Sequence, residues 1–267
     1  MRRLAAVSLM IGAVLFGPAV MAQDRPPPVP VEAWSLERVA HLGREIYRHD
    51  IAAWVATDVV LAFVDGAPPP DMRGWIVTPQ GDDLLVRFVR EDGETVRAGL
   101  DVLVTDGVAG PVTDASEGVL SAEEHAQFRA RQTAIANLGE LRCTASMNTI
   151  VLPDPDSDGW LVWLLAATTE WGVIPVGGHY RFRISADGQT LLMRDQLSNG
   201  CLNLRPPPAQ DDSTVGVFVT HMVSETPVET HVFLSLLNGV MLYVMTEDKL
   251  FAVAGDTITM SDLPPDL

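Results

Sequence analysis

The chain has 267 residues, and its 35 acidic against 18 basic side chains give a net charge of −17 at pH 7. A nucleic acid or an anionic membrane surface needs clustered Lys and Arg to bind, so this acidic balance excludes both as favourable partners. Lys249 is the one lysine and no GxxxxGK motif precedes it, which excludes Walker-type phosphate binding and leaves a single candidate for Schiff-base chemistry.

The first residues have the pattern of a cleavable signal peptide. Arg2 and Arg3 precede an apolar run over residues 4–16, and Val20-Met21-Ala22 supplies small residues at a cleavage site. A membrane anchor is the alternative, but the run falls short of the roughly 20 residues that span a bilayer. We therefore predict a signal peptide over residues 1–22 and a periplasmic or secreted mature protein of charge −19, without a transmembrane segment.

A Pro-rich segment, QDRPPPVPVEAW, follows at residues 23–34 and predicts an extended leader. From Leu36, apolar residues recur at helical spacing as far as Phe63, which predicts one long helix, or two helices if His49-Asp50 interrupts it. We expect one α+β unit over residues 35–267. A candidate boundary near residue 110 would separate a helix and meander (35–110) from a helix and β-rich part (111–267).

After this helix, apolar residues alternate with the period of two that is typical of strands. A capping pattern further along the chain then indicates a second helix. Three alternating segments joined by QGDD and EDGE predict a meander: GWIVTP, LLVRFVR and TVRAGLDVLVTDG. Ser121 and Glu124 form a capping-box pattern, so we predict a helix near 121–138 that ends at Gly139.

The remaining chain is predicted to be almost entirely β. Strand-like segments occupy both sides of a second Pro-rich loop, RPPPAQDDST; they are MNTIVL, WLVWLLAATT, HYRFRIS, TLLMRDQL, VGVFVTHMV, THVFLSLL, VMLYVM, KLFAV and DTITM. Asn238-Gly239 between two apolar runs predicts a two-residue hairpin turn, with both faces of its sheet apolar and covered. The fold class is thus α+β, mostly antiparallel sheet in meanders and hairpins, with an N-terminal helix and a second near 121–138.

Cys143 and Cys201 are the two cysteines of the chain. An even count in an exported protein predicts one disulfide, because the compartments outside the cytoplasm are oxidising. Two unpaired thiols are the alternative, and a nucleophilic cysteine would need a histidine that the sequence does not place beside it.

Two motifs resemble parts of metal sites. Asp154-Pro-Asp-Ser-Asp-Gly159 matches the first half of an EF-hand loop, but Leu165 stands where the bidentate Glu belongs, so we interpret the segment as an acidic turn. A turn around Pro227 is flanked by His221, Glu225, Glu229 and His231, and antiparallel pairing could bring the two imidazoles together as zinc ligands. A register shifted by one residue separates them and segregates polar side chains better, so we predict no metal site.

Polar residues interrupt the apolar pattern of the first helix. His49 and Asp50 lie among large apolar residues, and Asp50, Trp54 and Asp58 follow one another at one-turn spacing. A carboxylate on such a stripe is either a hydrogen-bonded structural group or a working acid with a raised pKa. The residues His49, Asp50 and Trp54 are therefore candidate ligand-binding positions beside the structural interpretation.

The stretch Gly177-Gly178-His179-Tyr180-Arg181 opens a strand in which side chains alternate between two faces. His179, Arg181 and Arg183 share one face, while the opposite face is continuously apolar. The polar strip is expected to face solvent or a groove, where it could receive an anionic or carbonyl-bearing ligand. Alternatively, carboxylates of this same chain pair with it.

These patterns together favour an exported binding or accessory protein of the bacterial cell envelope. Its expected partner is an envelope protein or a small anionic ligand, and no motif indicates a cofactor. The alternative function is an extracytoplasmic hydrolase that uses His179 as a general base with a carboxylate from elsewhere. Neither a nucleophile elbow nor an HExxH, Rossmann or CxxC motif is present to support an enzyme class.

Overall fold

The chain forms an α+β fold of mostly antiparallel sheets, as its sequence predicts. The computed structural model describes residues 31–262 apart from 94, 116–117, 169 and 207–215, so the predicted signal peptide and most of the leader lie outside the described residues. The helices are α1 (Leu36–Phe63), α2 (Ala122–Ala136) and α3 (Glu229–Asn238). The strands are β1 (Met72–Gln80), β2 (Asp83–Asp92), β3 (Thr95–Thr105), β4 (Val108–Ala109), β5 (Thr113–Asp114), β6 (Met147–Pro153), β7 (Trp160–Ala166), β8 (Ile174–Pro175), β9 (Tyr180–Ile184), β10 (Leu191–Gln196), β11 (Asn203–Leu204), β12 (Gly216–Thr220), β13 (Met241–Met245), β14 (Lys249–Ala254) and β15 (Thr257–Asp262).

Helix α1 runs through its whole length without an interruption at His49-Asp50. The polar pair is accommodated because both side chains have hydrogen-bond partners: His49 Nδ1–H donates to the Glu45 carbonyl one turn earlier, and Asp50 accepts from the side-chain amide of Asn148. The first half of the helix packs in one hydrophobic cluster and its second half in another. One continuous helix therefore connects two parts of the structure.

The predicted meander is the first sheet, with strand order β1-β2-β3-β4 and β5 paired to β3. Its inner face packs against the second half of α1 through small helix residues such as Ala52, Ala53 and Ala56. Short side chains at these positions allow the helix to approach the sheet closely. This part of the chain follows the sequence prediction closely.

The second sheet has strand order β10-β9-β7-β6 and is covered on both faces. Helix α2, which begins with the predicted Ser121–Glu124 capping box, packs on one face with Ala126, Ala130 and Ala134. The first half of α1 and helix α3 cover the other face. Every residue of β7 and β9 is consequently buried.

The predicted disulfide is present and joins Cys143 to Cys201, with their Cα atoms 5.3 Å apart. It links the segment after α2 to the loop that follows β10. At Gly178, φ is +86°, and a Cβ there would stand 2.5 Å from the Cys143 sulfur. Glycine at this position is therefore required by both the backbone conformation and the approach of the disulfide.

The predicted hairpin at Asn238-Gly239 is wrong. The segment before it is helix α3, and Gly239 ends that helix with a left-handed φ of +61°. A short apolar run does not distinguish a buried helix from a buried strand, and Asn-Gly suits a helix C-terminus as well as a hairpin. Because the helix connects β12 to β13, these two strands are parallel, whereas the pairs β13–β14 and β14–β15 are antiparallel as expected.

Helices α1 and α3 meet at very close range. A Cβ added at Gly43 would lie 2.4 Å from the Cβ of Val232 and 2.6 Å from the carbonyl oxygen of Glu229. Because Gly43 has no side chain, the first turn of α3 can pack directly against α1. Among the described residues, no helix is long and apolar enough to cross a membrane.

Candidate functional site

The polar strip of β9 is buried rather than exposed to solvent or a groove, contrary to the sequence prediction. His179, Arg181 and Arg183 lie on the face that α1 and α3 cover, and each retains less than a tenth of its accessible surface. Alternation predicted correctly that the three share one face, opposite Tyr180 and Phe182. The presence of a helix over that face is a tertiary feature that strand periodicity does not contain.

Arg181 is held by two carboxylates of the same chain. Its Nη1 donates to both oxygens of Glu229 at 2.8 Å, and its Nε and Nη2 donate to one oxygen of Asp195 at 3.1 and 2.9 Å. The indole of Trp163 donates a further hydrogen bond of 2.6 Å to Glu229. The guanidinium is thus neutralised internally, which is the structural alternative for this strip.

Trp34 covers this network from the N-terminal side. Two guanidinium groups contact its ring, with the Cζ of Arg38 4.6 Å and that of Arg181 4.8 Å from the ring centroid. Such contacts stabilise a cation because the face of the indole is electron-rich. Trp34 is the last residue of the predicted leader, yet it is part of the main hydrophobic cluster.

The acidic turn supplies the partners of Arg183. Asp154 lies 2.8 Å from Arg183 Nε, and its carboxylate also accepts hydrogen bonds from the Asp156 amide and the Ser157 hydroxyl. Asp156 binds Arg38 at 2.7 Å. These carboxylates are engaged with arginines and with their own turn, so their arrangement supports the interpretation as an acidic turn rather than an EF-hand loop.

His179 has both ring nitrogens engaged by the backbone. Its Nδ1 accepts from the Ala166 amide at 3.0 Å, so its Nε2 carries the proton and donates to the Pro175 carbonyl at 2.9 Å. Burial lowers the pKa of His179 to about 4. With no free lone pair and a neutral ring at physiological pH, the geometry favours a structural role over that of a general base.

His221 and His231 come together, although not through the hairpin that the sequence predicts. His221 follows β12 and His231 lies in the first turn of α3, with ring centroids 4.8 Å apart at an interplanar angle of 86°. Burial lowers the pKa of His221 to about 4 and that of His231 well below its usual value. Among the described residues, no group of three or more His, Cys, Asp or Glu side chains is placed to hold a metal ion.

The candidate positions on α1 separate into buried and exposed residues. His49 and Asp50 are buried, whereas Trp54 is 58% exposed and Asp58 is exposed, so the predicted stripe does not form one site. Burial lowers the pKa of His49 and raises that of Asp50 to about 6. Asn148 donates to Asp50 at 3.0 Å, which is consistent with the hydrogen-bonded structural role.

The last sheet presents an apolar face on the side opposite α3. Cross-strand pairing places Phe218 beside Tyr243, and their rings stack at 4.7 Å. Met241, Met245 and Leu250 share this face and retain partial exposure, while Phe218 is 65% exposed. The sequence predicts that both faces of this sheet are covered. Among the described residues, a helix packs on the α3 side alone. We call these five residues the outer apolar face.

The two carboxylates that hold Arg181 belong to Glu229 and Asp195, and the sequence indicates neither as its partner. Glu229 lies in the predicted turn around Pro227, and Asp195 has no feature that distinguishes it from other acidic residues. The comparisons add no information on either, because no protein-family model, no curated protein and no solved structure matches this chain.

We predict that Arg181→Met lowers the free energy of unfolding by about 3–5 kcal/mol, because it leaves the buried Glu229 carboxylate unpaired. Adding Glu229→Gln to this variant should restore part of the loss. Urea unfolding of the three proteins measures the effect, and Arg205→Met, which removes an exposed pair with Glu170, serves as the control with an unchanged midpoint. An equal, small effect of Arg181→Met and Arg205→Met would contradict the structural role.

Asp50 gives a pH-dependent prediction. Because its folded-state pKa of about 6 lies above the unfolded value of 3.8, its contribution to stability is complete below pH 4 and is lost as the pH rises through about 6. Asp50→Asn mimics the protonated carboxyl, so we expect it to raise the free energy of unfolding by about 1–3 kcal/mol at pH 8 and to change little near pH 4.

The exposed Asp58→Asn on the same helix is the matched control and should show no such pH dependence. Denaturant unfolding at several pH values distinguishes the two variants. A gain from Asp50→Asn that is the same at pH 4 and pH 8 would show that the carboxyl does not titrate in this range.

Proposed function

We propose that this protein is exported from the bacterial cytoplasm and acts as a binding or accessory protein of the cell envelope. The signal-peptide pattern of residues 1–22 supports export, and the Cys143–Cys201 disulfide suits an oxidising compartment. The engagement of His179, Arg181 and Arg183 in internal contacts argues against this strip as an anionic-ligand site and against His179 as a general base, so the proposal rests on another surface.

The observation that carries the proposal is the outer apolar face of the last sheet. One side of this sheet buries Leu242, Val244, Phe251 and Val253 beneath α3. The other side displays two stacked aromatic rings and three further apolar side chains that remain accessible in the described part of the chain. A contiguous accessible apolar surface of this kind is typical of a docking site for another macromolecule.

The charge around this face defines the chemistry of the partner. Residues 216–262 contain six acidic side chains and one lysine, but Glu229 is buried against Arg181 and Asp256 is paired with Arg44. Glu247 and Asp248 lie in the turn between Met245 and Leu250, two members of the outer apolar face, and Lys249 is paired with Asp262. An apolar protein segment flanked by Lys or Arg would satisfy both the apolar surface and its acidic border.

We predict that a fluorescently labelled amphipathic peptide of Leu and Lys binds the mature protein, and that the double substitution Phe218→Ser/Tyr243→Ser weakens binding at least tenfold. The loss follows because Phe218 is the most exposed member of the face and its ring stacks on Tyr243. Fluorescence anisotropy measures the dissociation constants. A peptide of the same pattern built from Leu and Glu should bind far more weakly, because its charge repels the acidic border.

Trp54→Ser, which removes a similarly exposed aromatic residue from α1, is the matched control and should leave the affinity within about twofold. Equal effects of the two substitutions, or equal binding of both peptides, would overturn the docking proposal. Sedimentation tests a second copy of the chain as the occupant: a dimer abolished by Phe218→Ser/Tyr243→Ser would assign the face to self-association and also overturn it.

Export gives a separate prediction. When the full chain is expressed in a Gram-negative host, the mature protein should be recovered from the periplasm with Gln23 as its first residue. Intact-mass measurement identifies the N-terminal residue. The substitution Leu9→Arg within the apolar run should retain the uncleaved chain in the cell. Recovery of the uncleaved chain from wild-type expression would contradict the export proposal.

A further inference from the structure

A cavity of about 170 Å³ lies where the disulfide-bearing loop meets β12 and α3. The loop residues 197–202 form one wall, and the end of β12 with the first turn of α3 forms the other. Most of the lining is apolar, including Val176, Leu202 and Val219, and the two imidazoles of His221 and His231 are among its polar groups. The cavity is separate from the outer apolar face, because Val219 points to the opposite side of the sheet from Phe218.

The tautomer of His231 is fixed by the beginning of α3. The backbone amide of Val228 donates a hydrogen bond of 3.1 Å to His231 Nδ1, so this nitrogen must carry a lone pair. A neutral imidazole then has its proton on Nε2. Because Nε2 is a hydrogen-bond donor, it cannot at the same time coordinate a metal ion in this arrangement.

His221 has the same tautomer as His231, but here the protonated Nε2 is the engaged nitrogen. The hydroxyl of Ser224 donates to the Thr226 carbonyl at 2.7 Å, so its oxygen accepts the hydrogen bond of 2.7 Å from His221 Nε2–H. The lone pair of His221 is therefore on Nδ1. The two neighbouring rings thus offer one donor, His231 Nε2–H, and one acceptor, His221 Nδ1.

Neither of these two nitrogens has a hydrogen-bond partner among the residues that the structure describes. The side chains are nevertheless almost completely enclosed, since His221 is 5% and His231 3% exposed. Both imidazoles line the cavity, and a few polar groups in a mostly apolar wall are the usual composition of a small-molecule site. The complementary ligand carries an acceptor beside a donor.

We propose that this cavity binds a small neutral molecule through a cis-amide edge, with the ligand carbonyl accepting from His231 Nε2–H and the ligand N–H donating to His221 Nδ1. The apolar remainder of the ligand packs against Val176, Leu202 and Val219. A neutral ligand suits the site because burial keeps both imidazoles uncharged at physiological pH. An anion would bring a charge into an apolar space where no cationic side chain lines the wall.

The test uses 2-piperidone, a lactam whose N–H and C=O lie on the same side of the ring, added to full-length mature protein with ¹⁵N-labelled histidine. We expect saturable shifts of His221 Nδ1 and His231 Nε2 with a dissociation constant of about 10 mM or below. The exposed His41 on α1 should not shift. N-methyl-2-piperidone, which lacks the donor, should bind at least tenfold more weakly.

The same spectra also report the tautomers directly, because protonated and unprotonated imidazole nitrogens have well-separated ¹⁵N shifts. His221→Phe should abolish lactam binding, whereas His41→Phe should leave it unchanged. The wild-type titration keeps the proposal testable if His221→Phe fails to fold. Absence of saturable shifts up to about 100 mM lactam, or equal affinity for the two lactams, would overturn the proposed site.

Discussion

The ion pair between Arg181 and Glu229 is the interaction on which the rest of the described structure depends. Arg181 lies in the middle of the second sheet, and Glu229 is the first residue of α3, so the pair fixes the helix to the sheet. Both side chains are almost fully enclosed, and their charges are acceptable there only because Asp195 and Trp163 complete the hydrogen bonds. Loss of either charge would leave the other uncompensated in the core.

This attachment of α3 has consequences on both sides of the helix. On one side α3 meets α1 at Gly43, where the lack of a side chain allows the contact. On the other side it covers the inner face of the last sheet and leaves the opposite face accessible. Its first turn also brings His231 beside His221. The docking face and the lactam cavity that we propose are therefore two results of the same helix placement.

The sequence predicts the structure correctly where a local pattern is compatible with one structure only. The Ser121–Glu124 capping box, the meander after α1 and the pairing of the two cysteines each follow from local chemistry or an even count, and each is present. It failed at α3, because a fully apolar run with Asn-Gly behind it fits a buried helix and a buried strand equally well. Because α3 is predicted as a strand, the surroundings predicted for Glu229, His221 and His231 are wrong. For the same reason the sequence does not identify Glu229 as the partner of Arg181.

The sequence by itself determined the α+β class, the acidic net charge, the alternation that places His179, Arg181 and Arg183 on one face, and the disulfide. These properties depend on residues close together in the chain or on composition alone. Only the tertiary structure decided that the polar strip is buried, since a strand pattern specifies which side chains share a face but not what covers it. It also decided the tautomers of the three buried histidines of this region, because their hydrogen-bond partners are set by how loops and helices pack around them.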